Sequence, residues 1–493
     1  MKDTLQFVGR SAMRRTMSLS VAAALMPMAA QAQSVDVSQW SPEYLRTIAG
    51  TAKYDTVAEC GAVVPNDYAG RVSYWYTGPF EADAAISHTQ DAAFWEAFKA
   101  AYPNIKLDVQ SITYSELLDK FRTSLLGNSA PMMVRLQILG GVEFAAKGYL
   151  EPLAPEDVGY SSADFWSGAL KSVTYDGVSY GIPTNNETMG FIWNAKIFAE
   201  AGLDPESPPA TWKDVVEYSR IIHEKLGIAG YGLVAKQNTG NTSFRFMPLA
   251  WAYGGGALDE ASDDPNYNDI WINNEGTKAA LQDAVDMYVR DQSVPTSALT
   301  NTQAENQAPF IAGRLAMMIA HPQEYAKMLD LASLATGADK QVADTVIENM
   351  RYGLMPAGSD RRAVVFGGNN VHVVKPQYVQ GGVVDEHAVK ALICMSTSPE
   401  WSTRMNWAGS NPGHLGGFRT EWMKERLDTI KFLDVTTSML ANGVPFPVLP
   451  ESSEIMNIIV PDMLQNALTG VMSVDQAADD AAARIKGIAS GGL

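Results

Sequence analysis

Residues 175–222 read YDGVSYGIPTNNETMGFIWNAKIFAEAGLDPESPPATWKDVVEYSRII. Tyr175-Asp176-Gly177 is a turn that leads through a short apolar run to Gly181-Ile182-Pro183. A polar patch, Thr184 to Thr188, separates it from the strand-like run Phe191-Ile192-Trp193-Asn194. A helix follows and stops at Ala201-Gly202, where glycine supplies the left-handed residue that ends helices. After the break Pro205 to Pro209, Thr211 stands three residues before Asp214, the spacing of a capping box that opens the next helix.

The same alternation runs upstream. A strand at Arg71 to Tyr76 is followed by a helix (Ala92 to Ala101), a strand (Ile105 to Ile112), a helix (Ser115 to Leu126), a strand (Met132 to Leu139) and a helix (Val142 to Ala146). Leu117, Phe121 and Leu125 recur on one helix face. Strands alternating with helices predict a parallel sheet covered by helices on both faces. Residues 33–70 show no strong period and receive no role. Ser473 and Gln476 form a second capping box before an amphipathic helix from Val474.

Order and spacing over residues 175–222 resemble the family 1 extracellular solute-binding proteins, the sugar-binding subunits of bacterial ABC importers, similar to maltose-binding protein. The family pattern runs roughly G-x-x-Y-G-I-P, Y-N-x-x-x-F-x-x-A-G-L, P-P-x-T-W-x-D/E. Pro248 to Gly256, Pro309 to Ile319 and residues 364–374 (VVFGGNNVHVV) are similar to further family segments. The resemblance covers about residues 71 to 490. It implies an α/β fold of two lobes joined by hinge strands, with a ligand cleft between them and chain crossings near 185–190, 354–360 and 412–420. The expected division is a signal peptide (1–32), an N-terminal extension (33–70), a first lobe (71–188 with 357–415) and a second lobe (189–356 with 416–493).

The front of the chain fits export. Arg14-Arg15, an apolar run from Val21 to Ala30 and the A-x-A site Ala30-Gln31-Ala32 read as a cleaved signal peptide, favouring Sec over Tat. The run is short for a membrane span of about 20 residues. The expected location is the periplasm. Formal charge is −18, and removing 1–32 takes away four basic residues and one acidic, leaving −21. So acidic a surface disfavours nucleic acid. Cys60 and Cys394 are the only cysteines; they could pair in an oxidising compartment, and Cys60 does not sit in a lipobox.

Little supports catalysis. Gly177 to Gly181 matches G-x-S-x-G, but that motif needs a helix directly after the serine, and Ile182-Pro183 follow instead. His223-Glu224 lacks a second histidine four residues on, and no cysteine, histidine or EF-hand spacing points to a metal or cofactor. The Asp/Asn-rich stretch 262–274 reads as a solvated loop.

Sugar binding needs flat apolar faces and planar polar groups that match pairs of hydroxyls. Trp75 and Tyr76 end the first strand, although alternate residues point to opposite faces. Asn185, Asn186 and Glu187 lie at the first crossing, and the resemblance places a ligand carboxylate at Glu187. Arg135 and Gln137 interrupt an apolar strand, so the arginine either reaches the cleft or pairs with a carboxylate. Arg135 also permits an acidic sugar. Trp251 and Tyr253 resemble the family's W-A-x-G-G segment on the second lobe. His321 and Gln323 stand where relatives often carry Gly-Pro-Trp. Gly368, Asn369 and Asn370 offer a close backbone approach, and Trp407 could close one end of the cleft. The reading is a monomeric receptor that takes a carbohydrate and hands it to inner-membrane ABC permease subunits. The alternatives are a receptor for a polyol, uronic acid or glycerol phosphodiester, and a secreted carbohydrate hydrolase.

Overall fold

The structure, a computed structural model, describes residues 35–78, 85–138, 140–259 and 269–489. The expected signal peptide and most of the 262–274 loop lie outside the described residues. In chain order the strands are β1 (Gly70–Tyr76), β2 (Ile105–Ser111), β3 (Met133–Gln137), β4 (Thr174–Tyr175), β5 (Val178–Ser179), β6 (Ile182–Glu187) and β7 (Gly190–Asn194). They continue as β8 (Ala229–Tyr231), β9 (Leu315–Ala320), β10 (Met350–Gly353), β11 (Val364–Val365), β12 (Gly367–Val373), β13 (Asn411–Pro412) and β14 (Gly443–Val444).

Two sheets organise the molecule. The first has the order β13-β6-β12-β3-β1-β2 and the second β10-β7-β9-β8. In the first sheet β1 runs parallel to β2 and β3, but β12 is antiparallel to both β3 and β6. The all-parallel expectation therefore fails at β12 and β13, two of the six strands. The reason is connectivity: the chain reaches β12 from β10 of the other sheet by way of β11, so it enters from the crossing end and runs back along its neighbours.

The local signals act as their chemistry requires. Asp176 and Gly177 both take positive φ, 48° and 73°, as a two-residue hairpin between β4 and β5 demands. Ser179 lies in β5 and donates to the Gly181 carbonyl at 3.3 Å, with no helix after it. Gly202 ends its helix at φ 74°. Thr211 and Asp214 exchange the two capping-box bonds, at 2.8 and 3.2 Å. Ser473 and Gln476 do the same at the tail helix Val474–Ala489.

Each sheet has its own core. Val72, Tyr74 and Tyr76 alternate inward from β1 onto Phe94, Phe98 and Leu392. In the second sheet β9 is buried at every position. Met317 and Ile319 pack with Phe191 and Trp212 on one face, while Met318 and Ala320 pack with Phe310 and Tyr352 on the other. A strand covered on both faces explains the unbroken apolar run LAMMIA.

Residues 35–64 contain two short helices, Pro42–Ile48 and Thr56–Val63. At seven and eight residues they are too short to display a clear period. Trp40 donates from Nε1 to the Thr437 carbonyl at 2.8 Å, and Arg46 pairs with Asp434 at 2.8 Å. Cys60 is disulfide-bonded to Cys394, which fixes the second helix to the helix Glu386–Thr397. Among the described residues no helix is long and apolar enough to cross a membrane.

Candidate functional site

The chain passes between the sheets at Thr188-Met189, between the end of β6 and the start of β7. The polar residues just before this point form a bonded cluster. Asn185 and Glu187 are two apart on one strand and share a face. Asn185 donates from Nδ2 to Glu187 Oε1 at 2.9 Å. Its Oδ1 accepts from Arg135 Nη2 at 3.0 Å and from the Asn369 backbone and side chain at 2.9 and 3.1 Å. Arg135 Nε donates to Thr184 Oγ1 at 2.9 Å, and the Thr184 hydroxyl donates to the Asn369 carbonyl at 2.9 Å. Arg135 is 1% exposed. Its charge is thus held inside the sheet by planar polar groups, as a buried guanidinium requires.

Glu187 is the end of this network. Burial pushes its carboxyl above the usual carboxylate range, and Arg135, Asn185, Ser410 and Arg245 pull it back. Ser410 Oγ lies 3.4 Å from Glu187 Oε1 and 3.5 Å from Gln323 Oε1. One hydroxyl thereby joins the first sheet's strand end to the helix Pro322–Leu334 of the second lobe. Arg426 shapes the loop that carries Ser410. It is fully buried and donates to the carbonyls of Asn406, Trp407 and Ser410.

The second lobe approaches through the helix Gly240–Ala252. A β-carbon on Gly367 would stand 3.0 Å from the Phe244 ring and 3.6 Å from Glu187 Cβ, so Phe244 packs over Gly367 near the base of the Glu187 side chain. The next residue, Arg245, pairs with Glu324 at 3.3 Å, both side chains nearly inaccessible. Burial raises Glu324 to about 7 against the pull of Arg245. Burial and Arg245 lower His321 to about 3. On the first lobe Tyr76 donates to Asp91 at 2.9 Å and accepts from Trp95 Nε1 at 3.2 Å. Burial raises Asp91, opposed by hydrogen bonds from Tyr76 and Trp95 to its carboxylate and by the charges of His88 and Arg135. At the rim Ala85 N reaches Asp330 across the lobes at 3.3 Å.

Of the residues expected to bind ligand, Arg135, Asn185, Glu187 and Asn369 meet directly. Gln137 stands opposite Asn369 in register, Tyr76 joins through Asp91 and the field of Arg135, Gln323 joins through Ser410, and His321 adjoins Glu324. The others do not join. Trp75 points to the opposite sheet face, beneath Lys120 Nζ at 4.5 Å. Asn186 donates to the Pro412 carbonyl at 3.0 Å and Asn370 to Ser172 at 3.2 Å; both are out of phase with Asn185 and Asn369. Gly368, at φ 145°, makes its close approach to the Asn185 carbonyl of β6, where a β-carbon would overlap. Trp251 is fully buried in the core, 5.8 Å from Phe446. Tyr253 donates to Asp283 at 2.7 Å in a separate groove with Lys213. Trp407 is buried against Trp422 at 6.1 Å.

Arg245, Glu324, Ser410, Asp91 and Phe244 escaped the sequence reading. A signal existed for Arg245: it is the only charge in the apolar helix segment SFRFMPLAWA, the same anomaly that singled out Arg135. Among the described residues no group of three or more His, Cys, Asp or Glu side chains could hold a metal.

Residues 85–377, more than half of the chain, match the bacterial extracellular solute-binding protein family. The chain belongs to this family. This solute-binding protein is 24% identical over 229 residues to the mannitol-binding protein of Pseudomonas aeruginosa, an overlap of 45% of this chain and 50% of that protein. It is 28% identical over 116 residues to the sn-glycerol-3-phosphate-binding periplasmic protein UgpB of Agrobacterium fabrum, covering 22% of this chain and 27% of that one. The chain thus spans half or less of the length of these curated relatives. Maltose-bound MalE3 of T. maritima superposes with a TM-score of 0.69 at 21% identity, over 85% of this chain and all of that one. The GacH receptor of Streptomyces glaucescens, solved unliganded and with acarbose, gives 0.69 at 20% identity, over 86% and 99%. These likenesses show the two-lobed binding-protein fold.

Proposed function

We propose that this protein is a periplasmic receptor that captures a carbohydrate or polyol between its lobes and delivers it to an ABC permease, without covalent chemistry. The observation that carries this reading is the Arg135–Asn185–Glu187 network, which ends in a half-buried carboxylate where β6 leaves the first sheet. Ligands of such folds sit at strand ends, and carboxylate and amide groups match pairs of sugar hydroxyls. Relatives named for mannitol and maltose support the ligand class. A relative named for sn-glycerol 3-phosphate supports an anionic alternative.

In this reading residues 1–32 are the export signal, cleaved near Ala32. The first lobe comprises 71–188 and resumes near Gly367, because Ala357 and residues 360–361 still bond to Ala210 and Ala252 of the second lobe. Residues 35–64 are tied to later parts of the chain through Thr437, Asp434 and Cys394. The protein works as a monomer with no cofactor.

The test is a thermal-shift screen of the purified mature protein against mono- and disaccharides, polyols, uronic acids and glycerol phosphodiesters. A ligand that binds only the folded state raises the melting temperature. Stabilisation by an uncharged sugar or polyol is expected. Conversion of a sugar during the screen would replace this reading by the hydrolase.

A further inference from the structure

Two adjacent carbonyls in the last turn of one short helix hold two distant parts of the chain. In the helix Leu433–Ser438, the Thr436 carbonyl accepts from Thr188 Oγ1 at 2.7 Å, and at Thr188 the chain leaves the first sheet for the second. The Thr437 carbonyl accepts from Trp40 Nε1 at 2.8 Å. Thr437 Oγ1 donates to Asn411 Oδ1 of β13 at 2.7 Å. All of these side chains are buried. Phe432, just before the helix, stacks on Tyr352 of β10 at 5.7 Å and meets Tyr325 edge-on at 5.8 Å. Tyr352 accepts from the Gly190 amide, at the start of β7, at 3.0 Å. The helix thus touches both sheets and the crossing between them.

The segment that carries Trp40 is fixed along its length. Arg46 pairs with Asp434 at 2.8 Å, the Trp40 ring stands edge-on to Phe418 at 4.8 Å, and Leu45 and Ile48 are buried in one cluster with Leu433. The amides of Gly50 and Ala52 donate to the carbonyls of Thr420 and Arg419 at 3.1 and 3.0 Å. Cys60 then enters the first sheet's core beside Leu392 and is bonded to Cys394.

We propose that residues 36–52 are a strap that limits how far the two lobes turn about the helix Leu433–Ser438, their pivot. Lobe motion in hinged proteins is absorbed by a few residues at element ends. Phe432 is such a position: at φ 69° it holds a left-handed conformation that a bulky residue keeps only where its surroundings impose it. Turning the pivot draws the Thr437 carbonyl away from the Trp40 N–H in a site closed to water, which leaves both groups unsatisfied. A free tail would follow the pivot without resistance. This segment cannot, because the disulfide ties its far end to the first sheet's core. The strap therefore raises the energy of orientations far from the mean and narrows their range. Its action belongs to the two-lobed fold and holds whatever solute is bound.

The experiment is a pulsed EPR distance measurement on the purified protein without added solute. Spin labels go on Lys106→Cys in β2 and Val342→Cys in the helix Gly337–Asn349, both exposed; the two native cysteines are bonded to each other and take no label. Trp40→Phe with Arg46→Ala removes the N–H and the cation while leaving most of the packing in place. Its inter-label distance distribution should be broader than that of the labelled parent. Leu117→Ala, in the first sheet's core and away from the strap, should lower the melting temperature and leave the width unchanged. A folded Trp40→Phe, Arg46→Ala protein with the parent's width overturns the proposal, and so does equal broadening by Leu117→Ala. If the double variant does not fold, hydrogen exchange on the parent decides. The amides of Leu45 and Ala49 should open together with that of Thr436, all three being bonded within their helices. Strap amides that exchange more than about tenfold faster than the pivot's overturn the proposal, since a strap that opens alone restrains nothing.

Discussion

His372 should make the protein acid-labile by an amount that can be worked out from its surroundings. It lies on β12 with no exposed surface. Its Nδ1 bonds to the Tyr180 carbonyl at 2.8 Å, so Nδ1 carries the proton. Nε2 is buried without a partner, and Gly141 and Gly181 press against the ring. A second proton would have to sit on Nε2 with nothing to receive it, and burial lowers the pKa to about 4. The unfolded chain protonates near pH 6.5, whereas the folded chain waits until about 4. The stabilisation is therefore whole above about pH 6.5 and is lost as the pH falls through the folded value. The full gap corresponds to roughly 3 kcal/mol, of which about 2 kcal/mol has gone by pH 5. His372→Gln keeps a donor for Tyr180 but cannot titrate. Urea unfolding followed by tryptophan fluorescence at pH 7.5, 6.0 and 5.0 isolates the effect, because the slope with pH is compared rather than the level. His321 and His414 are also depressed by burial, to about 3 and about 4, and Glu324 acts in the opposite sense. All three remain in both proteins and cancel. The wild type should lose about 2 kcal/mol more than His372→Gln between pH 7.5 and 5.0. Parallel pH profiles would refute the assignment of a buried neutral ring.

Glu187→Gln should weaken the ligand found in the screen by about 10- to 100-fold without lowering the melting temperature of the free protein, since burial already disfavours the charge; calorimetry and thermal unfolding read the two effects. Replacing both Cys60 and Cys394 by alanine should cost about 2–5 kcal/mol in urea unfolding, because the bridge closes a loop of 334 residues. Gly368→Ala should cost more than about 2 kcal/mol, since its β-carbon would meet the Asn185 carbonyl at φ 145°; a stability within error of wild type would mean that β6 and β12 do not approach so closely.

Local chemistry was legible and long-range direction was not. Thr211 with Asp214, Gly202 and Asp176-Gly177 each specify a conformation through groups a few residues away, and each adopts it. The direction of β12 depends instead on a partner strand 230 or more residues earlier in the chain, and no periodicity encodes it. The same holds for the two helices of residues 35–64. Their anchors are Thr437, Asp434 and Cys394, so their reason for folding lies at the far end of the sequence.

The site divides along a finer line. Alternation along a strand says that Asn185 and Glu187 share a face and that Asn186 does not, and that Trp75 and Tyr76 oppose each other. It does not say which face meets the cleft. That phase is set by what covers the other side: Pro412 takes Asn186, and Lys120 takes Trp75. Aromatic content misled for a related reason. Trp251 and Trp407 are residue types that stack on sugars, yet they are also large apolar bodies that a two-lobed protein needs in its cores, and here the cores claim them. Buried charge was the better guide. An arginine inside an apolar element must find polar company, whatever its surroundings. Applied to Arg135, that requirement led to Asn185 and Glu187; applied equally to Arg245, it leads to Glu324.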